Sequence, residues 1–410
     1  MELKPGYKQT EVGVIPEDWR NLPITKVARL ESGHTPSKRN SNYWGGGVNW
    51  ISLFDTQGLS RNEISTTEKT ITAEGLNNSS ARLLPAGTVV FSRTATVGKV
   101  SIMATSMATS QDFANYICGP GLHNIFLVYL FRSMGRTWKT LMAGSIHNTI
   151  YMPTFKALKI VVPPLSEQKA IAQALSDTDV LIESLDQLLT KKRQIKQGTM
   201  QELLTGQRRL PGFSGGWKKK RLAQLADIRS GGTPSTSQSE YWDGDILWCT
   251  PTDITGLNGH KYLSDTNRKI TSLGLSVSST ELIPENSIVM TSRATIGECA
   301  INLLPLCTNQ GFKNFIPFDG VDIEFLYYLL SAQKQKFISL CGGSTFLEIG
   351  KSQLAIYEVR VPELKEQTAI ATILSAMDEG IVTLETQLQK ARHLKQGMMQ
   401  ELLTGRIRLV

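Results

Sequence analysis

The feature that most constrains this chain is that its second half repeats its first at a shift of about 199 residues. The undecapeptide KQGTMQELLTG at residues 196–206 recurs as KQGMMQELLTG at 395–405, with a single difference, Thr199 against Met398. Other matches keep the same order. SGHTPS at 32–37 pairs with SGGTPS at 230–235, Tyr43-Trp44 with Tyr241-Trp242, and Trp50 with Trp248. SRTATVG at 92–98 pairs with SRATIG at 292–297, Gln111 with Gln310, Gly144-Ser145 with Gly343-Ser344, and Pro163 with Pro362. A period this long means duplicated domains and not a solenoid, whose units span a few tens of residues. The length of 410 residues agrees with more than one core.

Each half has two parts. Residues 166–204 and 365–403 contain no proline and one or two glycines, and apolar residues recur at steps of three and four. The stripe runs Ile171, Leu175, Ile182, Leu185, Leu189 in the first copy and Ile370, Leu374, Met377, Ile381, Leu384, Leu388, Ala391 in the second. Pro163-Pro164 stands before the first helix, and Gly206 and Gly405 stand where left-handed C-terminal caps belong. About 39 residues at 1.5 Å each make a rod of roughly 58 Å. A narrow stripe on so long a helix is stable only against another helix, and the simplest partner is its own repeat. The competing reading packs each stripe on its own domain.

The remaining segments are rich in Gly, Ser, Thr and Asn and carry short β-branched runs, such as 88–92 and 287–291. Each closes with a helical pattern, at 124–142 and 323–340. The fold class read from this is α+β, as a tandem duplication with globular domains at 1–165 and 207–364 and long helices at 166–206 and 365–410.

Hydrophobic residues make up 40% and charged residues 20%, which supports packed cores and excludes disorder. The net charge of +8 suits a polyanionic partner, although solvated lysines explain it equally well. The basic runs 191–193 and 218–221 divide in the same way between a binding patch and a solvated face. Cys118, Cys249, Cys299, Cys307 and Cys341 have no CxxC spacing and are read as reduced, buried thiols. The first residues show no apolar signal core, and the longest apolar run, 125–131, is too short to span a bilayer, so a cytoplasmic protein is expected.

A search for catalytic constellations finds none. The segment from Gly343 to Gly350-Lys351-Ser352 has six intervening residues where a phosphate loop needs four. The only Pro-Pro reads as the start of a helix and not as an aminomethyltransferase loop. Glu167-Gln168-Lys169 has the letters of a nuclease ExK pair, but its repeat is Glu366-Gln367-Thr368. His34, His123, His147, His260 and His393 lack metal-ligand spacing.

What recurs is a set of residues suited to DNA. Arg93 and Arg293, with Thr94 and Thr295 one and two residues after them, follow a predicted strand where a guanidinium reaches a phosphate or clasps guanine. Gln111 and Gln310 are of the type that reads adenine, and Lys313 adds a cation. The bland alternative assigns these residues to the shared scaffold, since domains reading different half-sites should differ where they touch bases. By that logic the variable loop residues Lys38, Arg39 and Asn40, against Thr236, Ser237 and Gln238, are the candidate base readers. Trp44, Trp50, Trp242 and Trp248 are read as core before stacking platforms.

In this order and in two copies, these motifs resemble the HsdS specificity subunits of type I restriction–modification enzymes over essentially the whole chain. The YKQTEVGVIPEDW opening, the GGTPS, YW and W pattern at 231–248, SRATIG, NQGFKN at 309–314, PLSEQKAIAQAL at 164–175 and QELLTG after each helix carry the resemblance. It implies two target-recognition domains, each reading half of an asymmetric, interrupted DNA sequence, with two antiparallel coiled-coil helices as spacers. It also implies a non-catalytic chain without cofactor. S-adenosylmethionine, ATP and magnesium would belong to partner subunits, two methyltransferase subunits docking on the helices and QELLTG stretches and a restriction and motor subunit. Together these would form an adenine-N6 methyltransferase and ATP-dependent endonuclease. His34 replaces the family's second glycine, so a differently turned loop is expected there. The competing classes are a coiled-coil scaffold that binds no DNA and a self-contained restriction or methylation enzyme.

Overall fold

A computed structural model describes residues 5–143, 148–341 and 347–409. Gly144, Ser145, His147, Gly343 and Ser344 lie outside the described residues. The chain divides into two compact units, residues 1–186 with 387–410 and residues 187–386. Each long helix, Leu165–Thr205 and Leu364–Leu402, therefore contributes one part to each unit.

Unit 1 is organised by a five-stranded sheet in the order Ala28–Ser32, Phe113–Cys118, Val89–Ser92, Val100–Met103, Glu63–Ile64. The first four strands are mutually antiparallel, and the last runs parallel to its neighbour. The run Val89-Val90-Phe91-Ser92 is buried throughout, and its first three residues are apolar, because both faces of its strand are covered. Val89 and Phe91 face the main core with Phe126, Phe131, Trp138 and Phe155, whereas Val90 joins Ile51, Met103, Met107 and Phe113 on the other side. A three-stranded sheet sets Trp44–Ile51 between Ala108–Thr109, parallel, and Lys69–Ile71, antiparallel. Unit 2 repeats both sheets, with Ala226–Ser230, Phe312–Pro317, Ile288–Thr291, Cys299–Asn302 and Tyr262–Leu263 in one and Trp242–Cys249 central in the other.

The helical patterns expected at 124–142 and 323–340 are each two helices. Asn124–Ser133 and Gly135–Met142 part at Met134 (φ −82°, ψ 21°), and Ile323–Ala332 and Lys334–Leu340 part at Gln333 (φ −89°, ψ 0°). The break folds the second helix back onto the core. There the Trp138 indole donates to the Phe131 carbonyl at 2.7 Å and its ring lies 4.8 Å from Phe91.

The long helices end as expected, with Gly206 and Gly405 at φ 72° and 73°. Their stripes serve both of the purposes weighed from sequence. Ile171, Ala172 and Leu175 lie in the core of the domain they follow, as do Ile370, Ala371 and Leu374. Farther along, the helices pair with each other antiparallel inside each unit. In unit 1, Arg392 and Lys395 meet Asp186 and Asp179; in unit 2, Arg193 and Lys196 meet Glu385 and Asp378. These two sets exchange under the repeat shift, each helix giving the basic pair in one unit and the acidic pair in the other.

The leucines of QELLTG are buried: Leu402 and Leu403 lie in the main core of unit 1, and Leu203 and Leu204 in that of unit 2, while Gln201, Glu202 and Gln400 beside them stay exposed. Their identity between copies is explained by packing into two like cores. The end of each helix is anchored by a second exchanged pair. Glu167, 1% exposed, accepts from Arg408 Nε at 2.7 Å, and Glu366, 3% exposed, accepts from Arg209 Nε at 2.6 Å. The EQK letters at residues 167–169 are thus structural, with Gln168 buried and bonded to the carbonyls of Gly121 and Pro163.

Candidate nucleic-acid interface

In unit 1 the SGHTPS loop crosses the end of the three-stranded sheet so closely that Gly33 admits no side chain. A Cβ there would fall 2.1 Å from Thr109 Oγ1 and 2.2 Å from the Ser110 carbonyl. The loop is pinned from below by two tryptophans, whose indoles donate to the carbonyls of Ser37 (Trp44, 3.1 Å) and His34 (Trp50, 3.0 Å). The rings meet edge to face at 5.0 Å. Unit 2 repeats the device, with Trp242 donating to Ser235 and Trp248 to Gly232, and the rings 4.9 Å apart. The tryptophans thus hold the loop, and Trp50, Trp242 and Trp248 are buried. His34 keeps the backbone hydrogen bond of its counterpart, His34 N to Thr109 O and Gly232 N to Thr308 O, both at 2.9 Å, but a Cβ at Gly232 would fall 2.7 Å from Ser279 and Thr280, so the loop's surroundings differ where His34 stands.

Around this platform the structure collects most of the residues singled out in unit 1. Thr35 donates to Gln111 Oε1 at 2.6 Å. Arg93 donates through Nε to the Gln111 carbonyl at 2.9 Å and through Nη1 to the Ile150 carbonyl at 3.1 Å. Burial lowers the Arg93 pKa, with Asp112 opposing. Thr94 forms an isolated bridge with Thr149, and Ala95 takes a positive φ of 59° that fixes the turn. Lys38 and Gln111 line one 660 Å³ cavity together with Trp44, Phe54, Lys69 and Asp112. Lys38 and Arg39 are exposed.

In unit 2, Thr233 donates to Gln310 Oε1, and Thr236 and Gln238 stand exposed on the loop. Arg293 Nε pairs with Glu348 at 2.9 Å. Lys313 is buried, 5% exposed, with its ammonium 3.7 Å from the same Glu348 and 3.4 Å from Ser292 Oγ. Burial lowers its pKa, with Glu348 opposing. Lys313 is therefore withdrawn from the surface of unit 2. Thr295 accepts from Thr291 Oγ1 through its carbonyl, next to Ala294 at φ 53°. The arginines and Thr295 therefore brace the turn in both units, while the loop residues Lys38, Arg39, Thr236 and Gln238 point outward.

Phe54 did not emerge from the sequence. It is 73% exposed, and Lys69 Nζ lies 5.0 Å from the centre of its ring. The repeat comparison held the signal, since Phe54 falls against Thr252 between matched residues, Ser52 and Asp55 in one copy and Thr250 and Asp253 in the other. Among the described residues no cluster of His, Cys, Asp or Glu could hold a metal, and no helix is long and apolar enough to cross a membrane.

The profile of the type I restriction modification DNA specificity domain matches the chain twice, at residues 16–196 and 214–391. The MjaIX type I restriction enzyme specificity subunit of Methanocaldococcus jannaschii is 41% identical over 173 residues, 42% of this chain and 40% of that protein. The putative MjaX specificity subunit of the same organism is 26% identical over 431 residues, 98% of this chain and 97% of that protein. Among solved structures, a chain from a study of assembly and conformational transition of the type I R-M system superposes with a TM-score of 0.60 at 17% identity. That superposition covers 96% of this chain and 99% of that one. The HsdS subunit from Thermoanaerobacter tengcongensis gives a TM-score of 0.53 at 18% identity, covering 96% and 98%. At these identities the structural likeness speaks for the fold.

Proposed function

This chain belongs to the type I restriction modification DNA specificity family, and we propose that it selects the DNA sequence on which a multi-subunit restriction–modification enzyme acts. Each unit reads one half of a bipartite, asymmetric target in double-stranded DNA, and the long helices that join the units set the gap between the halves. The observation that carries this reading is the duplicated platform. Both units hold a loop on a tryptophan pair by the same hydrogen bonds. Yet the exposed side chains differ, Lys38 and Arg39 on one loop and Thr236 and Ser237 on the other. A constant scaffold with variable exposed residues is the arrangement expected of two readers of different half-sites, because phosphate contacts position a protein and base contacts specify.

The partners follow from the same reading. Two methyltransferase subunits dock on the exposed faces of the repeated helices, where like surfaces are offered twice, and restriction and motor subunits complete the assembly. S-adenosylmethionine, ATP and magnesium reside on those subunits. The complex methylates adenine at N6 and cleaves DNA with ATP, inside the cell. A scaffold that binds no DNA is not favoured, since the family match spans both halves of the chain.

The test is titration of the chain, co-purified with its methyltransferase subunit, against duplex DNA at several salt concentrations. Affinity that falls linearly in log–log form as salt rises supports a phosphate-contacting reader. Absence of binding at low salt overturns it.

A further inference from the structure

Phe54 and Thr252 occupy matching positions, each two residues past the capping residue of a capping box that both units keep. In unit 1, Asp55 is buried and accepts from Ser52 N at 2.8 Å, Ser52 Oγ at 3.0 Å and Glu68 N at 2.7 Å. In unit 2, Asp253 accepts from Thr250 N at 2.7 Å, Thr250 Oγ1 at 2.6 Å and Asn267 N at 2.9 Å. These capping boxes fix the backbone on both sides of the intervening residue, so the turn presents its side chain without freedom to retract it. One exposed apolar residue is ordinary on a protein surface. Here, however, the capping hydrogen bonds are kept, although the first copy is a short 3-10 turn and the second begins a six-residue helix, while the presented side chain changes from a phenyl ring to a threonine.

The surroundings change with it. Lys69 lies over the Phe54 ring, and both line the same cavity as Lys38, Trp44 and Gln111. Its counterpart Arg268 instead lies 3.7 Å from the centre of the Trp242 ring, covering the tryptophan of unit 2. The first unit thus offers an exposed ring beside two ammonium groups, and the second offers a hydroxyl.

We propose that Phe54 is a specificity-determining residue that contacts the 5-methyl group of a thymine in the half-site read by unit 1. Thr252 holds the equivalent place toward the other half-site. In the major groove thymine alone presents a methyl group, and a phenyl ring is an established type of apolar partner for it. Lys69 orients the ring and meets an adjacent phosphate. This inference rests on the chain being a DNA-reading subunit.

The experiment selects bound duplexes from a randomised pool with the chain and its methyltransferase subunit, for wild type, Phe54→Ala, Phe54→Leu and Thr252→Phe. Both positions are exposed, and unchanged melting curves establish that the variants fold. Phe54→Ala should relax one A·T position in one half-site while leaving the other half and the gap intact. Phe54→Leu should retain the preference, and Thr252→Phe should alter the other half. Replacing that thymine by uracil, which removes only the methyl, should weaken wild type about fourfold and leave Phe54→Ala unaffected. An unchanged motif in Phe54→Ala, or indifference of wild type to uracil, overturns the proposal while the DNA-reading function stands. A wild-type complex that selects no motif overturns that function itself.

Discussion

Arg408→Met would remove the guanidinium that closes unit 1 while keeping most of the side chain's apolar volume. Glu167 is 1% exposed and accepts from Arg408 Nε and Nη2 at 2.7 and 2.8 Å, from Trp19 Nε1 at 2.9 Å and from Leu409 N at 3.3 Å. Hydrogen bonding to Glu167 also raises the Arg408 pKa, so the guanidinium stays charged. The substitution strands a buried carboxylate with only an indole and an amide for company. Breaking a buried pair from one side costs about 3–5 kcal/mol, and the two remaining donors place the expectation near ~3 kcal/mol. For a unit of this size each kcal/mol shifts the midpoint by about 2–4 °C, giving a fall of roughly 6–12 °C. Glu167→Gln strands no charge and should cost less, about 1–3 kcal/mol. The double variant should cost less than the sum of the two. Calorimetry gives the midpoint, and hydrogen exchange read by mass spectrometry should show loosening at residues 165–175 and 395–405 but not at 222–228. A fall of under about 2 °C, or loosening confined to unit 2, would refute the view that this pair anchors the end of the second helix in the first domain.

Three further outcomes are expected. Gly33→Ala drives a Cβ to 2.1 Å from Thr109 Oγ1, so the unit 1 midpoint should drop by the equivalent of about 1–3 kcal/mol and DNA affinity should fall with it; wild-type stability would contradict the close crossing. Glu324 has its pKa lowered: burial pushes it up, but hydrogen bonds from Ser375, Tyr262 and Lys261 together outweigh that. A depressed carboxylate stabilises the fold above its unfolded pKa near 4.5, and that contribution is lost as pH falls through the lower folded value. Glu324→Gln should therefore be less stable than wild type at pH 7 and converge with it in acid; a gap that persists below the folded pKa would count against the network. Four residues inserted between Leu189 and Ile195 advance the helix by about 6 Å and displace Arg193 and Lys196 from Glu385 and Asp378. The gap in the methylated motif should change, or binding should be lost, and an unaltered motif would remove the spacer role.

The duplication and the long helices were legible because they are periodic: a copied undecapeptide and a three-and-four stripe need no tertiary knowledge. The strands at 88–92 and 287–291 were legible from another local signal, their short β-branched runs. What pairs across the chain was not. Arg408 and Glu167 are 241 residues apart, and nothing local distinguishes a helix-terminal glutamate bound by a distant arginine from one facing water. QELLTG shows the same limit, since identity between copies is equally consistent with a shared partner and with burial in two like cores. The helix breaks at Met134 and Gln333 carry no proline, and only the packing of Trp138 and Phe337 onto the core demands them. At the candidate interface, the rule that base readers vary while scaffold residues recur sets Arg93 and Arg293, whose side chains bond to distant segments of their own units, apart from the exposed Lys38 and Arg39. Applied at every position, the same rule would have found Phe54.

The central claim is tested most directly by co-expressing the chain with its methyltransferase subunit and mapping methylated adenines across the host genome by single-molecule sequencing. The account predicts one bipartite, asymmetric motif with a fixed gap that disappears when the chain is omitted. A motif that persists without the chain, or a stable complex that methylates no motif, would contradict it.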